Sequence, residues 1–152
     1  MKHATRKPWL SGVLCIALLA AAAFGVTGCT ADKTEETSVQ TLLYAPSDAP
    51  HALGEGDTTF PLTVTHLDGT AVEFEISTEQ DTVGEALEEV GLISGEEGPY
   101  GLMITNVNGE TLIYEQHRAY WGFYIDGAYA TSGVDTTGIT SDCAYALTAD
   151  KA

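Results

Sequence analysis

An α+β domain, one short helix against a mixed sheet, is predicted by three observations. Two segments alternate apolar and polar residues on either side of a turn signal. One capping box opens a single stretch of helical periodicity, and strand-prone runs ending in Asn-Gly and Asp-Gly follow it.

Phe60, Leu62 and Val64 alternate with Pro61, Thr63 and Thr65, while Val72, Phe74 and Ile76 alternate with Glu73 and Glu75. Each segment is therefore a strand with one apolar face. Gathering those residues on one side of the sheet requires Val64 opposite Val72 and Leu62 opposite Phe74. That register leaves Leu67-Asp68-Gly69 as a three-residue loop, with Gly69 in the position that takes a left-handed backbone. A two-residue Asp-Gly turn would set Val64 against Glu73 and mix the faces.

In Thr82-Val83-Gly84-Glu85 the threonine hydroxyl and the glutamate carboxylate can each satisfy a free backbone N–H at a helix start. Val83, Ala86, Leu87 and Val90 recur at helical spacing, and Gly91 stands where the helix should stop. Gly84 and three glutamates make this two-turn helix weak in isolation, so its apolar stripe must be held by the sheet. A glycine-rich loop from Ser94 to Gly101 comes next. Leu102 to Val107 then leads into Asn108-Gly109, and Trp121 to Ile125 into Asp126-Gly127. Trp121, Phe123 and Ile125 share one face, and Tyr120 and Tyr124 the other. A last strand, about Ala144 to Thr148, presents Tyr145 and Leu147 together. Two strands, a helix and three or more strands define an α+β domain of the β-grasp kind.

The N-terminus sets the compartment. Lys2, Arg6 and Lys7 precede an apolar run from Leu10 to Phe24, and Gly25-Val26-Thr27-Gly28 leads into Cys29. This is the three-part build of a secretory signal ending in a lipoprotein cleavage box. Cys29 is the expected lipidation site, and the protein is expected at the extracytoplasmic face of the membrane. The competing reading is a retained membrane helix, for which a run of about 15 residues is short against the ~20 needed to span. The resulting organisation is a signal over residues 1–28, a lipidated Cys29 with a flexible tether over 29–58, the domain over 59–149 and a tail over 150–152. As a random coil the tether would reach ~30 Å. Its apolar island, Val39 to Tyr44, is open to three readings: an edge strand, a partner contact or disorder.

The full chain carries 22 acidic and 6 basic residues. Removing residues 1–28 leaves 22 negative against 3 positive, a net charge of −19. Such a surface repels phosphate backbones and anionic headgroups, which excludes nucleic acid as a partner. Beyond Cys29 the one thiol is Cys143, read as a small buried residue in a late strand. His51, His66 and His117 have no metal-ligand spacing. Glu96-Glu97, Asp126 and Ser132-Gly133 come with no base or orienting partner at readable spacing, so the chain is read as non-catalytic.

The series Thr82 to Leu87, Gly101 to Gly109, Tyr120-Trp121-Gly122-Phe123-Tyr124-Ile125-Asp126-Gly127 and Gly133-Val134 resembles the domain family named for the C-terminal domain of transcobalamin, whose bacterial members are grouped as a domain of unknown function. The resemblance spans Phe60 to Ala149. It implies a vitamin-binding ancestry in which this domain closes over cobalamin against a helical domain. Two departures stand out: no helical domain is expected within these 152 residues, and Gly122 and Ser141-Asp142-Cys143 differ from the family pattern.

Carried over by position, the resemblance implies that Tyr120 and Trp121, with the segment from Tyr100 to Met103, face a ligand. A flat corrin with apolar faces and an amide rim suits aromatic walls and a few backbone hydrogen bonds. Alternation favours Tyr120 and Tyr124 over Trp121, whose neighbours Phe123 and Ile125 suggest core. His117 is a candidate ligand to cobalt or a solvated loop residue. Two functions follow as expectations. One is a surface-anchored protein that captures a corrinoid such as cobalamin, with no resident cofactor, and passes it to a membrane transporter. The other is an adhesive or scaffolding module that binds protein or glycan through its sheet edge and exposed aromatics.

Overall fold

A computed structural model describes residues 40–152. The signal segment, Cys29 and the tether up to Val39 lie outside the described residues. In chain order the strands and helices are β1 (His51–Gly54), β2 (Thr58–Thr65), β3 (Ala71–Thr78), α1 (Val83–Glu89), β4 (Ile93–Gly98), β5 (Gly101–Val107), β6 (Glu110–Thr111), α2 (Tyr114–His117), β7 (Ala119–Ile125), β8 (Ala128–Tyr129) and β9 (Tyr145–Lys151). A 3-10 turn spans Val134–Thr136.

The larger sheet runs β1-β3-β2-β9-β7-β8. β1 lies parallel to β3 and β2 parallel to β9, and the remaining neighbours are antiparallel. A second, antiparallel sheet runs β4-β5-β6. The fold is α+β.

The β2–β3 register is the one that alternation demands: Val64 faces Val72, Leu62 faces Phe74 and Phe60 faces Ile76. His66 N–H donates to Thr70 O at 2.8 Å and Gly69 N–H to His66 O at 2.9 Å, with Gly69 at φ 88°. β9 continues the apolar face by setting Tyr145 against Leu62 and Leu147 against Val64, and β7 adds Phe123 opposite Leu147. The rings interlock: Phe60 meets Tyr145 edge-on at 5.2 Å and Phe123 stacks on Tyr145 at 6.0 Å. Each fully buried Leu, Ile or Phe side chain here contributes on the order of 1.5–3 kcal/mol.

α1 covers this layer with Val83, Ala86 and Leu87, all buried. Thr82 Oγ1 accepts the Glu85 N–H at 3.3 Å, as a capping box requires. The Glu85 carboxylate takes the Thr82 hydroxyl hydrogen at 3.0 Å instead of the Thr82 backbone N–H. Gly84 has a packing use that the helix pattern hides. A Cβ there would lie 2.9 Å from the Asp135 backbone, so glycine lets the 3-10 turn dock on the helix.

Four sequence expectations are corrected. Ser94 to Gly101 is not a loop but mostly strand β4, paired with β5 across a bulge at Ser94/Gly95; glycine and paired glutamates hid a ladder held by its backbone. The tether does not extend to residue 58. Gln40 exchanges side-chain bonds with the Thr111 backbone, Leu43 N–H donates to Asn108 O, and β1 pairs with β3. The last strand runs on through Asp150 and Lys151, and Ala152 N–H donates to Arg118 O, so residues 150–152 are no free tail. Cys143 is half-buried in the turn before β9, with its thiol pushed up first by burial and then by Asp126.

Candidate ligand-binding cleft

β7 is paired along its whole length on one side and for two residues on the other. β9 takes Ala119 through Ile125, whereas β8 takes Tyr124 and Ile125 alone. The rest of that edge, Ala119 to Phe123, meets no strand among the described residues. β5 is similar, paired with β4 along its length apart from the bulge at Thr105 and joined by β6 only at Asn106 and Val107. An open cleft of about 440 Å³ lies between them, with Leu102, Met103 and Ile104 on one wall and Tyr120, Trp121 and Phe123 on the other. The segment from Tyr129 to Val134 forms its floor.

Ala130 N–H donates to Phe123 O at 2.9 Å, which fixes that carbonyl on the β8 side of β7. Strand alternation then points the Trp121 N–H and C=O to the same edge, toward the cleft. The Trp121 side chain is 7% exposed and meets His66 edge-on at 5.9 Å, so it is a core residue as well as a wall. Its indole Nε1 is buried and has no hydrogen-bond partner. A buried donor left unpaired costs about 1–3 kcal/mol.

Asp135 Oδ1, in the 3-10 turn beside the cleft floor, is also buried without a partner. Its carboxylate fills the space that a Cβ would need at Gly101 and at Gly133.

The other face of β7 carries an aromatic strip of Tyr120, Tyr124 and Tyr129, of which Tyr120 and Tyr129 also border the cleft. Tyr120 is 41% exposed, and Tyr124 meets Tyr129 edge-on at 5.3 Å. Tyr124 donates its hydroxyl to Asp150 Oδ2 at 2.7 Å. A Cβ at Gly122 would overlap that carboxylate, so glycine makes room for the pair. The bond to Asp150, with burial second, pushes the Tyr124 phenol up to about 12, and burial raises Tyr120 as well.

The structure brings Met103, Tyr120 and Trp121 together on the cleft. Tyr100 stands apart, fully exposed in the tight turn between β4 and β5. Tyr124 belongs to the opposite face and is engaged with Asp150. His117 ends α2, where its Nδ1 accepts the Ile113 N–H at 2.9 Å, a local capping use. Leu102 lay within the segment from Tyr100 to Met103 expected at the ligand, whereas Ile104 and the floor residues 129–132 escaped sequence reasoning, because no periodicity marks them as a site. Gly133-Val134 was the one signal there.

The residues 80–142 match the family model described as domain of unknown function (DUF4430). A protein from Ruminococcus gnavus ATCC 29149, to which metal binding has been ascribed, is 32% identical over 63% of this chain and 99% of its own, with a TM-score of 0.60. Haptocorrin, solved in complex with Cbi, shares the fold at 14% identity and a TM-score of 0.53. The match covers 62% of this chain and 25% of haptocorrin, so the chain corresponds to about a quarter of that protein. No curated protein matches the chain. The chain belongs to the DUF4430 family, the transcobalamin C-terminal-like family expected from its Tyr-Trp strand and Asn-Gly turn.

Proposed function

We propose that this protein is a lipid-anchored, non-catalytic binding protein of the extracytoplasmic membrane face, and that its cleft holds a corrinoid such as cobalamin for delivery to a membrane transporter. One observation carries the reading. The cleft combines apolar walls with unmet hydrogen-bonding groups along the open edge of β7. A flat ligand with apolar faces and an amide rim would meet both needs. Haptocorrin, which shares the fold, was solved with Cbi bound, and this supports the ligand class. The metal binding ascribed to the Ruminococcus relative is compatible, since a corrinoid carries its own cobalt. The hairpin, the helix over it and the central parallel pair β2–β9 support the finer reading of a β-grasp fold.

The side chains that could suggest catalysis are solvated or engaged in local hydrogen bonds. Glu96 and Glu97 are exposed on β4, Asp126 Oδ1 accepts the Ala144 N–H, and Ser132 Oγ pairs with Thr137 Oγ1. The lipid anchor rests on the sequence around Cys29. A scaffold module that adds a partner strand to the open edge of β7 is the second reading, favoured by that same unpaired edge.

Calorimetric titration with cobalamin and cobinamide separates the two. The first reading expects a dissociation constant below about 1 μM, weakened at least about tenfold in a Met103→Ala, Tyr120→Ala double variant. No heat with either corrinoid would sink it and leave the strand edge as the functional surface.

A further inference from the structure

The side chain of Asn108 is wholly buried in the β5–β6 turn, and its hydrogen bonds leave no freedom. Its Oδ1 accepts the Tyr44 N–H at 2.8 Å, and its Nδ2 donates to Tyr44 O at 2.8 Å. The amide thus imitates a paired strand for one residue of the arm 40–44. The other Nδ2 hydrogen is directed at His66 Nε2, 3.1 Å away. His66 Nε2 must therefore accept, so the ring proton sits on Nδ1 and is donated to Glu110 Oε2 at 2.7 Å. Neutral His66 and a docked arm are two readings of one hydrogen-bond chain.

We propose that His66 is a proton-operated release for the arm 40–44. Charging the ring puts an N–H on Nε2, facing the Asn108 Nδ2 donor. The clash is relieved if the Asn108 amide turns over and offers Oδ1 to the imidazolium. That turn sets Oδ1 against Tyr44 O and Nδ2 against Tyr44 N–H, so both arm bonds break. The element has two discrete states, and the proton selects between them.

The charged groups facing His66 are Glu110 from β6 and Asp68 from the β2–β3 turn. Asp68 is held below the usual carboxylate range, first by the Thr70 N–H and in part by His66. Trp121 of β7 contributes an uncharged ring edge. His51 of β1 faces the arm itself: its Nε2 lies 2.8 Å from Ala45 O and donates there in the charged ring too, so its titration does not oppose docking. The arm's remaining holds are the Gln40–Thr111 bonds, Leu43 N–H on Asn108 O and the Tyr44 ring against His51 at 5.2 Å and Phe74 at 5.6 Å. If the chain is anchored at Cys29, release would free residues 40–50 and lengthen its leash. The release itself does not depend on the ligand or on the anchor.

The test is amide hydrogen exchange, resolved by NMR on the full chain in detergent micelles and corrected for intrinsic exchange rates. Between about pH 7.5 and about pH 5.5, where imidazoles change charge, protection of the Leu43 and Tyr44 amides should fall about tenfold or more, one hydrogen bond's worth. Val64 and Leu147 should keep theirs, and His66→Gln, which cannot titrate, should remove the pH dependence. Arm protection that persists while the His66 ring signals report charging would overturn the proposal. So would a ring that stays neutral over that range, or an undiminished pH response in His66→Gln. If that variant does not fold, the ring signals and arm protection of the wild-type protein still decide, because their midpoints must coincide.

Discussion

The β2–β3 hairpin and the β5–β7 cleft both set apolar side chains along strands and use them in opposite ways. In the hairpin every apolar side chain finds a cross-strand partner, every second residue is buried, and the loop closes with the backbone bonds its length requires. In the cleft two strands stop short of each other, Met103 and Tyr120 stay partly exposed, and the β7 edge from Ala119 to Phe123 has no strand partner among the described residues. The first arrangement stores stability. The second leaves hydrogen-bonding capacity open, as a binding site does.

Phe74→Ala should break the comparison on the stability side. Phe74 is buried beneath β1 and the arm, touching Tyr44 and His51, and its truncation should cost about 3–5 kcal/mol in denaturant unfolding. Met103→Ala, at a side chain 60% exposed on the cleft wall, should stay within about ±0.5 kcal/mol. Equal losses at both positions would show that the cleft is core.

A smaller effect sharpens the account of the outer face. The Tyr124 phenol is raised from 10.0 to about 12 in the folded protein, chiefly by its bond to Asp150. The protonated phenol therefore stabilises the fold fully below the unfolded value, and this contribution is lost as pH climbs through the folded one. Stability should fall between pH 10.0 and about 12, and Asp150→Asn should shift the Tyr124 absorbance titration downward. A titration unchanged in that variant would remove Asp150 as the cause.

Sequence made the hairpin legible because burial on one face prints a period of two. The three-residue loop could be argued from Val64 and Phe74 alone, since a slip of one residue would expose the whole set. The capping box at Thr82 was legible for the same local reason. The cleft was only half legible. Trp121 and Tyr120 drew notice as aromatics, yet which of them meets a ligand depends on where β8 ends, a tertiary fact with no local pattern. Strand β4 was missed because Ser94-Gly95-Glu96-Glu97-Gly98 carries low strand propensity, and its pairing with β5 overrides this. The apolar island at Val39 to Tyr44 stood out, but the docking of Leu43 and Tyr44 was not legible because its partner, Asn108, reads in sequence as an ordinary turn residue.

The central claim is that the β5–β7 cleft is the binding site. Its most direct test is a cobinamide titration followed by backbone amide shifts. Changes concentrated at Leu102 to Ile104, Trp121 and Ala130 to Val134 are the result expected. Saturable binding whose shifts fall instead on Tyr100, His117 or the outer face around Tyr124, with the cleft silent, would contradict it.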